Sequence, residues 1–165
     1  TEPGGYFITI NCHQRRKLFG ELRGERVELN SMGQIAHDYR HEIPSHFQTV
    51  SLDAFIVMPS HVHGILFIGE RFEKNVRARY TSPAGELPNG VGAQHAAPVR
   101  PMNLGVKPGS LGAIVRSYKA AVTRVVNLRR NSPGEPIWHR NYYGRVIRND
   151  QELEAVRNYI TFKLS

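Results

Sequence analysis

One cysteine in 165 residues excludes an internal disulfide and any cysteine-rich zinc site. Cys12 lies just past a strand-like stretch, where a buried thiol without chemistry is expected. No apolar run approaches the roughly 18 to 20 residues that span a bilayer, and the start lacks a charged region followed by an apolar one. No membrane contact and a cytoplasmic location are therefore expected. Acids are scarce too: 14 Asp and Glu stand against 22 Lys and Arg, a formal charge of +8. Long basic tracts are missing, so the cations decorate a folded surface and an anionic partner is the natural expectation. From Leu111 onward ten Lys or Arg face four acids, which puts six of the eight net charges in the last third of the chain.

Proline and glycine are concentrated rather than spread. Thr81 to Gly109 holds five of the ten prolines and five of the fifteen glycines, with almost no periodic apolar pattern. The flanking halves each look incomplete alone, so residues 70–109 read as a long mobile loop within one domain spanning 1–165.

The rest of the chain carries regular patterns. Tyr6 to Ile10 is aromatic and β-branched, a first strand. Ser31 is the expected cap of a helix over 32–42, which Pro44 prevents from continuing. Thr49 to Met58 and His61 to Ile68 are strand-like and separated only by Pro59-Ser60, the spacing of a tight antiparallel hairpin. Ser110 caps a helix to about Leu128, with Leu111, Ile114, Val115, Tyr118, Val122, Val125 and Val126 as its apolar stripe. Arg116, Lys119 and Arg124 lie on its other side, available to nucleic acid. A fourth strand falls within Trp138 to Ile147, and Asn149 or Asp150 starts a last helix with Leu153, Val156, Ile160 and Leu164 buried. This order predicts an α+β, ferredoxin-like (split βαβ) antiparallel sheet with helices packed on one face, the other face left for a ligand.

His61-Val62-His63 is the sharpest chemical feature. Residues two apart on a strand share a face, so both imidazoles can converge on one divalent ion; two partly buried structural histidines are the plainer alternative. Tyr159 sits on the flank of the last helix's apolar stripe and fits either a packing tyrosine or an exposed phenol. Tyr118 falls inside its helix's stripe and reads as core. Tyr142 and Tyr143 lie on a strand, suited to stacking on a base or on the core.

Three blocks in order carry a family resemblance. His61-Val62-His63 follows the turn Val57-Met58-Pro59-Ser60. Ile137-Trp138-His139-Arg140-Asn141-Tyr142-Tyr143 leads into Arg145-Val146-Ile147-Arg148-Asn149. Arg157-Asn158-Tyr159-Ile160 follows on the final helix, and Ser117-Tyr118-Lys119 agrees as well. Together they resemble the HUH-type transposases with a single catalytic tyrosine, including the REP-associated tyrosine transposases.

The resemblance implies that His61 and His63 hold Mg²⁺ or Mn²⁺ and that Tyr159 is the nucleophile. Single-stranded or hairpin DNA would be the substrate, nicked and rejoined through a 5′-phosphotyrosine link during transposition of a mobile or repeat element. It leaves monomer and homodimer open. Arg116, Lys119, Arg124, Arg140 and Lys163 are the expected DNA contacts.

The pattern departs at Lys163, where the family carries an Asn or Gln that completes the metal shell. A charged ammonium cannot ligate a metal, so the third protein ligand is unassigned and a catalytically silent DNA-binding domain of the same fold is the alternative. A water-using phosphodiester hydrolase is a third reading, with Asp53 or Glu42 as its base.

Overall fold

The computed structural model describes residues 2–69 and 107–162. All but the last three residues of the loop expected at 70–109 lie outside the described residues, as does Lys163. Six strands are described: β1 (Gly4–Asn11), β2 (Gly20–Arg23), β3 (Arg26–Leu29), β4 (Val50–Met58), β5 (His61–Ile68) and β6 (Tyr143–Ile147). The α-helices among the described residues are α1 (Ser31–Asp38), α2 (Glu42–His46), α3 (Leu111–Arg130) and α4 (Asp150–Phe162). The main sheet has the order β4-β5-β1-β6 with every neighbouring pair antiparallel, which is the expected ferredoxin-like arrangement.

Alternation along the two central strands divides the molecule. Tyr6, Ile8 and Ile10 of β1 and Val62 and Leu66 of β5 join one large cluster with Ile35 and Ala36 of α1, Ile43 of α2, and Leu111, Ile114, Tyr118, Val122 and Val126 of α3. Ile56, Ile65 and Phe67, on the opposite face, pack on Leu153, Val156 and Ile160 of α4. The face expected to stand open is therefore partly roofed by the last helix. An apolar stripe shows that a helix packs, not on which side of a sheet.

Local details differ from the sequence reading in three places. The side chain of Asn30, not Ser31, caps α1 by accepting from the backbone N–H groups of Met32 and Gly33. The α-helix ends at Asp38 but helical structure runs on as a 3-10 turn over Tyr39–His41 into α2, and Pro44 sits inside α2 instead of after the helix. There it occupies the first turn, where a backbone N–H has no helical partner to lose. The β2–β3 hairpin was not expected; its sequence is dominated by Glu and Arg, which hides the alternation.

Candidate active site

β5 begins immediately after the Pro59-Ser60 turn, so His61 and His63 stand at the mouth of the sheet, on the α4 face. Their Nε2 atoms are 3.0 Å apart. His63 is buried and His61 half-buried. Each ring is held from behind: Nδ1 of His63 lies 2.9 Å from the Thr9 hydroxyl, and Nδ1 of His61 lies 3.2 Å from the Ser60 hydroxyl. When these hydroxyls accept the Nδ1 protons, both Nε2 atoms are left as acceptors that can share one cation; with a proton on one of them the same approach is a ring-to-ring hydrogen bond.

The donor set suits a divalent ion. Two nitrogens each about 2.1 Å from one ion, at a right angle, lie about 3.0 Å apart. Mg²⁺ prefers oxygen donors and would draw more of its shell from phosphate and water than Mn²⁺. Among the described residues no cluster of three or more His, Cys, Asp or Glu side chains is placed to hold a metal. Were an ion held there, the two imidazoles would be the donors that the described residues offer it.

Tyr159 reaches this pair from α4. Its ring meets that of His63 edge-on at 5.5 Å between centroids, and that of Phe7 edge-on at 6.5 Å. Phe7 stacks on the other side of the corner against His63, at 5.4 Å. Tyr159 keeps 45% of its surface exposed, enough for a substrate to reach the phenol. The neighbouring Arg157 ties α4 to the sheet. Its Nε and Nη2 donate to the two carboxylate oxygens of Asp53 at 2.6 and 3.0 Å, and its Nη1 to Glu154 at 2.9 Å. A register shift between Leu52 and Phe55 of β4 brings Asp53 to this contact.

That ion pair bears on the hydrolase reading. Asp53 is held in a bidentate contact with Arg157. Glu42 belongs to α2, which packs into the cluster on the other face through Ile43. Neither carboxylate stands as a base beside the histidines.

Four of the expected DNA contacts gather elsewhere. Arg116, Lys119, Arg124 and Arg140 line one groove of about 1680 Å³ between α3 and residues 131–142. Because α3 packs on the face opposite α4, this groove lies across the sheet from Tyr159. Arg116, Arg124 and Arg140 are exposed. Lys119 is committed differently: its ammonium donates to the carbonyls of His139, Arg140 and Asn141 at 2.9, 3.2 and 3.2 Å, and burial pulls its pKa down. Tyr118 is core, its hydroxyl donating to the Ala36 carbonyl at 2.6 Å. The roles of Thr9 and Phe7 went unnoticed in the sequence, because they depend on which residues of β1 face β5, and only the register tells that; Ser60, adjacent to His61 in the turn, was a local signal that went unused.

No family model matches the chain. A Haemophilus influenzae protein described only as "Uncharacterized protein" is 32% identical over 157 residues, covering 95% of this chain and 78% of its own length. Among solved structures, that of a REP-associated tyrosine transposase bound to a REP hairpin superposes with TM-score 0.56 at 17% identity. The match covers 97% of this chain and 66% of that one, so this chain spans just under two thirds of the transposase's length. A Deinococcus radiodurans R1 protein provisionally described as a transposase superposes less closely, with TM-score 0.48 at 15% identity over 99% of this chain and 92% of that one. Among the described residues no helix is long and apolar enough to cross a membrane.

Proposed function

We propose, for a chain that belongs to the same family as the Haemophilus influenzae protein and has a transposase-like fold, that it cuts and rejoins single-stranded DNA beside a hairpin. The observation that carries this reading is the meeting of Tyr159 with the His61–His63 pair: a half-exposed phenol from the last helix edge-on to a buried imidazole from a central strand. A packing tyrosine alone would not need two histidines with converging Nε2 atoms beneath it.

In the proposed step the Tyr159 oxygen attacks the scissile phosphorus and the bond to the 3′-oxygen breaks. The phenolic proton passes to solvent, the departing oxygen takes one up, and the 5′-phosphate stays on the tyrosine. One phosphodiester replaces another, so the reverse attack by a 3′-hydroxyl rejoins strands without nucleotide hydrolysis. His61 and His63 would hold a divalent ion, whose charge would neutralise the phosphate oxygens and favour departure of the 3′-oxygen. Thr9 and Ser60 fix the two rings, Phe7 keeps water from the inner side of His63, and the Asp53–Arg157 pair holds α4 in place. Arg116, Arg124 and Arg140 offer a basic groove to the phosphates of a hairpin stem, and Lys163 remains a proposed phosphate contact.

The test is incubation with hairpin-bearing single strands and Mg²⁺ or Mn²⁺, followed by denaturing electrophoresis. Wild-type protein gives a covalent protein–DNA band. Tyr159→Phe, and His61→Ala with His63→Ala, give none, while DNA affinity in Tyr159→Phe stays within about twofold because ring packing and the basic groove are unchanged. A wild type that binds hairpins yet forms no adduct with either metal supports the silent DNA-binding domain, the alternative that Lys163 suggests.

A further inference from the structure

β6 is an edge strand whose first four residues are all exposed, and its register carries information that the active-site residues do not use. Thr9 pairs with His63 on one side and Tyr143 on the other, and Phe7 pairs likewise with Ile65 and Arg145. Tyr143 therefore lies in the same cross-strand row as His63, two strands away or about 10 Å, and Arg145 in the row of Phe7. Period-two alternation places both side chains on the α4 face. With Phe7, Ala155, Val156 and Tyr159 they line a cleft of about 360 Å³.

Tyr143 keeps 57% of its surface in solvent, whereas Tyr142 is half-buried and packs on the large cluster. Of the two readings open for these tyrosines, core stacking thus falls to Tyr142, and Tyr143 has its ring free for a ligand. Among the described residues the Arg145 guanidinium has no ion pair and the Tyr143 hydroxyl no hydrogen-bond partner. An exposed aromatic face beside a guanidinium, in a cleft that ends on a tyrosine, matches a nucleotide: a base to stack and a phosphate to pair. Among the described residues the only other polar side chain lining the cleft is that of Tyr159, so base edges are hardly read and stacking should tolerate any base.

We propose that this cleft is a subsite for one nucleotide of the single strand next to the scissile phosphate, its base stacked on Tyr143 and its phosphate paired with Arg145. The assignment rests on the DNA-processing reading above. It also gives the strand a route. The segment leaving the basic groove at Arg140 and Tyr142 continues directly into Tyr143 and Arg145, so DNA held in the groove reaches Tyr159 by crossing the β6 edge.

The experiment separates this subsite from the chemistry by measuring binding in a Tyr159→Phe background with EDTA present. The probes are fluorescein-labelled dT12 and a 12-mer of the same backbone with every base removed, read by fluorescence anisotropy. Tyr143→Ala should lower the preference for dT12 over the abasic strand roughly tenfold, the loss of one base stack. Tyr143→Phe should keep it within about twofold. Arg145→Gln should weaken both probes alike and flatten the salt dependence by about one phosphate contact. Ala155→Leu, a change on an exposed helix position that fills the cleft, should reproduce the Tyr143→Ala loss and guards against a folding artefact. An unchanged dT12 preference in both Tyr143→Ala and Ala155→Leu overturns the subsite. Tyr143-dependent binding in a protein whose wild type makes no adduct upholds the subsite and removes only the nicking reading; an adduct formed equally fast by Tyr143→Ala does the reverse.

Discussion

The two faces of the sheet are built differently. On one, α1, α2 and α3 bury a continuous apolar cluster that runs from Tyr6 to Trp138, and two of its aromatic side chains are tied by their polar ends: Tyr118 donates to Ala36, and the Trp138 indole donates to the Lys119 carbonyl at 3.2 Å. On the other, among the described residues, one 13-residue helix rests on Ile56, Ile65 and Phe67 through Leu153, Val156 and Ile160, helped by Val27 of β3 and by the Asp53–Arg157 pair. The candidate chemistry sits on the second face. The thick side fixes β5, and with it the histidines, while the thin side brings Tyr159, the proposed nucleophile. Elements that engage substrate are commonly drawn from the less stable parts of a fold.

Deleting one buried side chain on each face puts this contrast under the greatest strain. Ile114 and Ile160 are both fully buried. Ile114→Ala should cost about 2–5 kcal/mol of global stability and speed hydrogen exchange throughout β1 and β5. Ile160→Ala removes the same atoms from a helix that can detach alone, so exchange should rise in α4 while β1 and β5 stay protected. Equal acceleration of the central strands in both variants, followed by mass spectrometry, would show that the two faces unfold as one.

A middle-sized effect sharpens the contrast within the basic groove. The Lys119 ammonium bridges three carbonyls of residues 139–141, the segment that leads into β6. Lys119→Met should lower stability by about 1–2 kcal/mol by leaving carbonyls short of a donor, and should leave the salt dependence of DNA binding nearly as it was. Arg116→Gln with Arg124→Gln should do the opposite: little change in melting, and a binding slope against salt reduced by about two phosphate contacts. If Lys119→Met flattens the slope as each arginine does, its charge belongs to the DNA interface after all.

What the sequence disclosed follows the same division. The α3 stripe, the Ser110 cap and the Pro59-Ser60 turn are local patterns, and each appears where it was expected; Ser110 accepts from the Ala113 N–H. The shared face of His61 and His63 follows from a period of two, which needs no tertiary knowledge. The side on which α4 packs, the Thr9–His63 contact and the Tyr143 row all depend on register between strands distant in sequence, and nothing local encodes that. Asp53 was noticed as a carboxylate near the hairpin, but a bulge and a partner on α4 decide what it does.

The smallest expected effect concerns Cys12, at the end of β1 on the thick face, where it bridges to Trp138. Burial pushes its thiol up to about 12, against weaker lowering influences from the Leu18 backbone and Arg16. A group whose folded pKa is raised favours folding fully below its unfolded pKa, and loses that contribution as pH climbs toward the folded value. The window here runs from about 9 to about 12. At pH 8 the folded protein should therefore show no measurable alkylation by iodoacetamide over hours, and a mass increase of one label should appear only when denaturant is added. A thiol that reacts in the native protein as fast as free cysteine would mean that the thick face opens as readily as the thin one, and the contrast between them would fail at its most protected point.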